Sequence, residues 1–411
     1  MKNRKGSFTV FVLMLFSSLM ILVWAVIAAS AREAVSASAD HFGRLWGTSI
    51  LAEYDVNLKD RYGLYAYFGE QSMVEEKLNQ YALYSFRDKS YIRYEGSRCS
   101  LAEYSLAEPD NLKRQMKEAV LAGNRPNVLK PPVQETEIPY GQRAVTSRWI
   151  QDNLPSKGSR EETDISSAAE KIKTGSGLQN LMGSAAVNQY FFTYFRHYCG
   201  GETLSDTFFK NEIEYILCGK ADDEIARKKI RQKLILLRNM LNLTYLYSCP
   251  EKREAAMALA AVMTPGPEAV LTQGVLLELW AFAEAENDVA ILYDKKPVAL
   301  LKADSNWALS LENAVGQAGS EENTDSETKK YIRPESMEGA DYEDYLRILV
   351  NTVPERIRLL RAMDLIQINM KYLYCDYFRI QDYYVGLRYN FIVNNKEHLF
   401  EETYERKEEE E

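Results

Sequence analysis

The chain has 411 residues, 46% of them hydrophobic, and 50 Lys and Arg stand against 59 Asp and Glu for a net charge of −9. That length is enough for two or three domains with cores of their own. The negative sign excludes a non-specific nucleic-acid binder, which needs a basic surface, and the composition excludes a collagen, a wholly disordered chain and a multi-span membrane protein. Five widely spaced Cys with no C-x-x-C exclude a disulfide-dense mini-domain and a strong zinc signature.

The N-terminus is the most informative stretch. Lys2, Arg4 and Lys5 precede an uncharged run from Phe8 to Ser30, followed by Arg32 and Glu33. As a helix the run spans roughly 34 Å, enough for the ~30 Å hydrocarbon core of a bilayer. Basic residues before it place the N-terminus (residues 1–7) in the cytoplasm and the bulk of the chain outside the cell membrane. Ala29-Ser30-Ala31 also suits a signal-peptide cleavage site, but the run exceeds the ~7–15 residues of a signal h-region. The reading is therefore a single-pass anchor over 8–30, with the lipid bilayer as its partner.

Beyond the run, Val35, Ala39, Phe42, Trp46 and Ile50 recur at helical spacing without a proline. This predicts a stalk helix over 31–56 continuous with the membrane span, with Gly43 and Gly47 on a close-packed face. The proximal residues, among them Ala31, Ala34 and Ser38, are small or polar and form a candidate interaction surface for a partner helix. Phe42 and Trp46 belong to the same face, and from Phe42 onward the stalk is expected to pack on its own domain.

The rest reads as an α+β domain in which an antiparallel sheet is covered by helices. Its parts are 57–122, a Pro/Ser-rich loop region over 123–180 with a short helix near 144–153, a helix-rich part over 181–315, an acidic flexible insert over 316–340, a helix and C-terminal strand over 341–395, and an acidic tail over 396–411. Strands are predicted near 90–95, 100–106, 211–217, 297–302 and 378–393. The last is the clearest: Tyr383, Val385, Leu387, Tyr389, Phe391 and Val393 alternate with largely polar residues, which buries the odd-numbered face. Pro265-Gly266-Pro267 and Pro354 mark helix boundaries.

Chemistry is sparse. Nucleotide-binding, esterase and zinc-protease motifs are missing, and there are three His, at 41, 197 and 398. His197 and Cys199 would share a face on a strand, and Glu284 and Asp288, four apart on a helix, could hold a cation. The preferred readings are a packed aromatic segment for the first and a solvated or salt-bridged helix face for the second, so no catalytic, cofactor or metal residue is assigned. Arg227, Lys228, Lys229, Arg231 and Lys233 form the polar side of a helix or a contact for anionic polymer. Cys199 with Cys218, or Cys249 with Cys375, could form disulfides outside the membrane.

Lys5-Gly6-Ser7-Phe8-Thr9-Val10 with the apolar run behind it, and Ser49-Ile50-Leu51-Ala52-Glu53-Tyr54-Asp55, resemble the single-span TadE/TadG-like proteins of Tad (Flp-type) pilus loci in Gram-positive bacteria. The likeness is to an uncharacterised branch with a large external domain. Asp60-Arg61-Tyr62-Gly63-Leu64, Trp280-Ala281-Phe282-Ala283-Glu284 and Tyr342-Glu343-Asp344-Tyr345-Leu346-Arg347 extend it. The resemblance implies a non-enzymatic structural or assembly part of a pilus or surface secretion apparatus, whose other subunits would be partners through the stalk. Processing after Gly6 would put Phe11 where pilins carry Glu, so the resemblance bears on membership and not on cleavage. The rival readings are a tethered adhesion or glycan-binding domain, and an extracytoplasmic hydrolase whose pocket would include Glu284 and Asp288.

Overall fold

The computed structural model describes residues 5–123, 152–156, 165–173, 186–200, 207–318 and 331–404. The fold is α+β, with a long apolar N-terminal helix, further helices and small antiparallel sheets. Two compact units divide the chain: Met1–Asp55, Tyr65–Glu108 and Gln381–Glu411 form one, Val56–Leu64 and Pro109–Ile380 the other.

The first unit is built on α1 (Lys5–Leu51), 47 residues without a break and therefore about 70 Å long. Phe8 to Ile27 expose their apolar side chains along its first half, and this helix is long and apolar enough to cross a membrane. The unit also holds β1 (Tyr67–Phe68), α3 (Gln71–Phe86), β2 (Tyr94–Ser100), β3 (Tyr383–Tyr384), β4 (Gly386–Val393) and β5 (Lys396–Thr403). Strand order is β2-β4-β5, antiparallel throughout, with β1 and β3 forming a separate ribbon.

The second half of α1 lies along that sheet. Trp46 is buried against Phe86 and Phe391, and its indole N–H donates to Ser85 Oγ at 3.0 Å. Two glycines allow the approach: a Cβ at Gly43 would lie 2.2 Å from the Phe400 ring, and one at Gly47 would lie 2.7 Å from the Glu402 side chain. Leu387, Tyr389, Phe391 and Val393 are buried while Arg388 is exposed, so the predicted register of β4 is the observed one.

The second unit is helical. Within the described residues it contains α2 (Val56–Tyr62), α4 (Pro109–Leu121), α5 (Ile165–Lys173), α6 (Ala186–Tyr194), α7 (Glu212–Cys218), α8 (Asp223–Ser248), α9 (Pro250–Met263), α10 (Ala269–Tyr293), α11 (Leu311–Ala318), α12 (Tyr342–Val350) and α13 (Glu355–Leu373). Pro265-Gly266-Pro267 separates α9 from α10, and Pro354 stands immediately before α13, as their fixed φ requires. Trp280 and Trp307 meet edge to face in one of its apolar clusters.

Several expectations are corrected. Residues 211–217 are not a strand, and Glu212–Cys218 form helix α7; six of its seven side chains are buried, Glu212 and Glu214 among them, and the alternation of these two with Ile213 and Tyr215 mimicked a strand pattern. Residues 297–302 contribute only the isolated bridge Val298↔Ala340, and 100–106 turn through a 3₁₀ segment, Ala102–Tyr104. The strand placed at 90–95 starts at Tyr94 and runs on to Ser100. Residues 396–403 of the supposed tail are strand β5: His398 and Phe400 face inward, Glu397 and Glu401 face outward, and Glu402 lies half-buried beside Gly47 of α1. The loop region contains helix α5, and 331–340 of the insert is tied down through Ile332 and Ala340. The helix placed near 144–153, except its last residues, and residues 319–330 and 405–411 lie outside the described residues.

Candidate functional site

Three places could carry function: the stalk face of α1, the carboxylates of α10, and the surroundings of His197. Along α1, Ala31 and Ala34 are exposed, Ser38 and Phe42 are half-buried and Trp46 is buried. The unit's own sheet takes up the helix earlier than Phe42. Ala39 is fully buried, Val35 packs on the same cluster, and Lys396 Nζ donates to Ser36 Oγ at 2.7 Å. The reason is that β5 runs beside α1 in the same direction, His398 Nδ1 meeting Asp40 Oδ1 at 2.8 Å one turn further on. The stretch open to a partner helix therefore shrinks to Ala31–Ala34.

Glu284 and Asp288 do project from one face of α10, but that face is inside. Both are fully buried, and so is Arg238 of α8. Arg238 donates to Asp288 Oδ2 from Nε at 3.0 Å and from Nη2 at 2.9 Å, and Asn242 Nδ2 donates to the same oxygen at 3.1 Å. Lys302 Nζ bridges Glu284 Oε1 at 2.8 Å and Asp288 Oδ1 at 2.7 Å. Backbone N–H groups of Ala308 and Leu309 complete Glu284 at 2.9 and 2.8 Å.

Burial, then the neighbouring Asp288, raises the Glu284 carboxyl above the ordinary range, and Lys302 opposes that shift. Two carboxylates meet two cations, and the place a divalent ion would take is filled by an ammonium and a guanidinium. Among the described residues no group of three or more His, Cys, Asp or Glu is placed to hold a metal. The pair was legible from its spacing. Its partners were not, although Arg238 among Leu234, Leu237 and Leu241 is a cation in an apolar stripe, which signals a buried counter-charge.

His197 and Cys199 sit in a turn after α6, where Gly200 N–H donates to the His197 carbonyl at 2.9 Å. Their side chains take different partners. His197 Nε2 lies 3.5 Å from Glu343 Oε2, and the Cys199 thiol points to the Leu292 carbonyl at 3.8 Å. Burial pushes that thiol up to about 12, the opposite of what a nucleophile needs. His197 holds Glu343 down at about 2, with Arg347 contributing.

Sequence reasoning missed the polar side of α7. Glu212 accepts from Arg196 N–H at 2.8 Å and Asn369 Nδ2 at 2.6 Å, Glu214 from Tyr198 N–H at 2.9 Å and the Tyr342 hydroxyl at 2.8 Å. Asp364 of α13 accepts from the Tyr215 hydroxyl at 2.8 Å and from Ser156 N–H at 2.8 Å. Burial raises all three carboxyls, Glu212 to about 7. Each accepts from protein donors on other elements, with Glu214 Oε2 left buried and without a partner, and this arrangement ties the turn after α6, and α12 and α13, to α7.

In the basic cluster, Arg227 lies over the Tyr198 ring and Lys233 Nζ donates to the Leu217 carbonyl at 3.1 Å, satisfying the end of α7. All five cysteines are free thiols, so neither anticipated disulfide is formed.

A model of a family of unknown function, DUF5702, matches residues 129–395, more than half of the chain. The chain belongs to that family. No curated protein and no solved structure matches it. The DUF5702 match takes in the Arg238–Asp288–Lys302–Glu284 network and ends at the β4–β5 turn, so α1, β2 and β5 lie outside it.

Proposed function

We propose that this DUF5702 protein is a non-enzymatic, membrane-anchored extracytoplasmic protein with a structural or assembly role in a Tad-like pilus or surface secretion apparatus. The observation that carries this reading is the continuity of α1. One unbroken helix passes from an exposed apolar half, with basic residues at its start, into a buried half that forms one wall of a folded unit. An anchor that served only as a tether would need no such rigid connection. The apparatus itself rests on the resemblance of the N-terminal pattern to TadE/TadG-like proteins. The Glu284–Asp288 pair supports a structural and not a catalytic interior, since both carboxylates are already hydrogen-bonded by the protein's own cations and N–H groups.

In-cell crosslinking from a photoreactive residue at Ala34 tests this proposal in the producing cells. Recovery of pilus or secretion subunits is the expected result, together with loss of the surface filaments on deletion of the gene. Unchanged filaments and no crosslinked subunit would overturn the assembly role. A cytoplasm-active reporter fused after Glu411 should be silent; a strong signal would overturn the orientation.

A further inference from the structure

We propose that Tyr245, Trp280 and Trp307, with the carboxylate of Asp304, form a cage for a quaternary ammonium group, and that the Lys252 side chain is its tethered, displaceable occupant.

Four segments of the second unit build the cage. Tyr245 belongs to α8, Lys252 to α9 and Trp280 to α10, while Trp307 follows the 3₁₀ turn Asp304–Asn306. The Lys252 ammonium stands over all three rings, 5.9 Å from the centre of Tyr245, 5.3 Å from Trp280 and 5.2 Å from Trp307. The two indoles are perpendicular with centres 5.7 Å apart, and Tyr245 lies 5.3 Å from Trp307. Ring faces carry negative charge, and several of them around one cation are the arrangement that recognises alkylated ammonium ligands.

Size separates this cage from an ordinary lysine contact. In the first unit Lys89 Nζ lies 4.0 Å from the Phe42 ring centre, so its ammonium touches the ring directly. Lys252 stands more than an ångström further from each of its three rings. In a quaternary ammonium a methyl group fills that gap. An N–C bond of about 1.5 Å and a carbon contact of about 3.5–4.0 Å place the nitrogen about 5.0–5.5 Å from a ring. The Trp280 and Trp307 spacings fall in this range and Tyr245 is just beyond it.

The rings are held without help from the lysine. Both indole N–H groups donate to the Leu309 carbonyl at 2.8 Å, and the Tyr245 hydroxyl donates to Asp304 Oδ1 at 2.7 Å. A ligand therefore meets a preorganised box. Lys252 itself is weakly held. Its partner at 3.4 Å is the Asp304 carboxylate, whose side chain is 72% exposed, and ion pairs so open to water contribute little. As the third residue of α9 its charge also opposes the helix dipole. Its long stem can carry the ammonium out to solvent beside exposed Glu251 and Arg253, leaving Asp304 as counter-charge for a ligand. Lys302, 5.9 Å from the Trp307 ring, is neutralised by Glu284 and Asp288.

Intrinsic Trp fluorescence of the full chain in detergent tests this, titrated with tetramethylammonium chloride and with ammonium chloride at matched ionic strength. A saturable change with tetramethylammonium is expected, and little with ammonium. Lys252→Ala should bind tetramethylammonium about tenfold more tightly, because a tethered competitor acts at high effective concentration. Lys252→Gln keeps the stem and drops the charge, so the same direction of change is expected from it even where the alanine variant does not fold. Tyr245→Leu on either background should lose most of the binding. A folded Lys252 variant with no saturable response, or with equal responses to the two ions, would overturn the proposal.

Discussion

In the first unit the side chains that meet across the interior are aromatic and aliphatic, with Trp46, Phe391 and Phe400 against Ala39 and the two glycines of α1. In the second the interior holds Arg238, Lys302, Glu284 and Asp288, and three further carboxylates at α7 and α13. The first unit has a long rigid helix as one wall, and the pleat of β4 fixes which side chains meet it. The second is made of helices whose apolar stripes are alike and could slide past one another. There the buried charges act as keys, because a shift of one turn would strand a guanidinium or carboxylate without its partner. Specificity comes from shape in one unit and from charge pairing in the other.

The largest expected effect comes from removing a key. Asp288→Ala leaves Arg238 buried with one counter-charge fewer and should cost about 3–5 kcal/mol. Denaturant unfolding would check it, and near-neutral behaviour would show that the network is not what sets the helix register. The counterpart in the first unit is shape: Gly43→Ala forces a methyl into the Phe400 ring and should cost about 1–3 kcal/mol. Its predicted signature is faster exchange in β5 without change in the α8–α10 pair.

A smaller change is Asp222→Ala at the start of α8. The Asp222 side chain accepts from Ile225 N–H at 2.9 Å, and losing that cap should cost about 1 kcal/mol, read from the shift in the unfolding midpoint. The smallest concerns Glu212. Its carboxyl is raised to about 7 by burial, so between the ordinary value near 4.5 and 7 the folded chain binds more protons than the unfolded one. Stability from this group is complete below pH 4.5 and falls as pH rises through 7. Glu212→Gln should flatten the melting temperature against pH over that window, whatever its uniform cost. A wild-type slope retained in the variant would assign the titration elsewhere.

The stalk bears on both units' legibility. Its periodic apolar residues and its two glycines announced a close-packed helix, and the alternation from Tyr383 to Val393 announced the buried face of β4. Both are local patterns, where a side chain's position along an element decides its direction. The β5 strand was concealed because Glu397, Glu401 and Glu402 continue the charge of the terminus, and only pairing with β4 shows that His398 and Phe400 form an inner face. Helix α7 was concealed for the opposite reason. It is buried on nearly every side, its two Glu included, and these alternate with Ile213 and Tyr215 at a period of two instead of marking a solvent face at 3.6.

The sequence alone was sufficient for the apolar span, the proline boundaries of α9, α10 and α13, the common face of Glu284 and Asp288, and the register of β4, since each depends on neighbours within a few residues. Tertiary structure decided what those faces meet. Lys302 and Arg238 reach the two carboxylates from separate segments, and β5 takes up α1 from Ser36 instead of Phe42. Contacts between residues tens to hundreds of positions apart leave no periodic trace in a single chain, and they determined which of its charges are paired and which remain exposed.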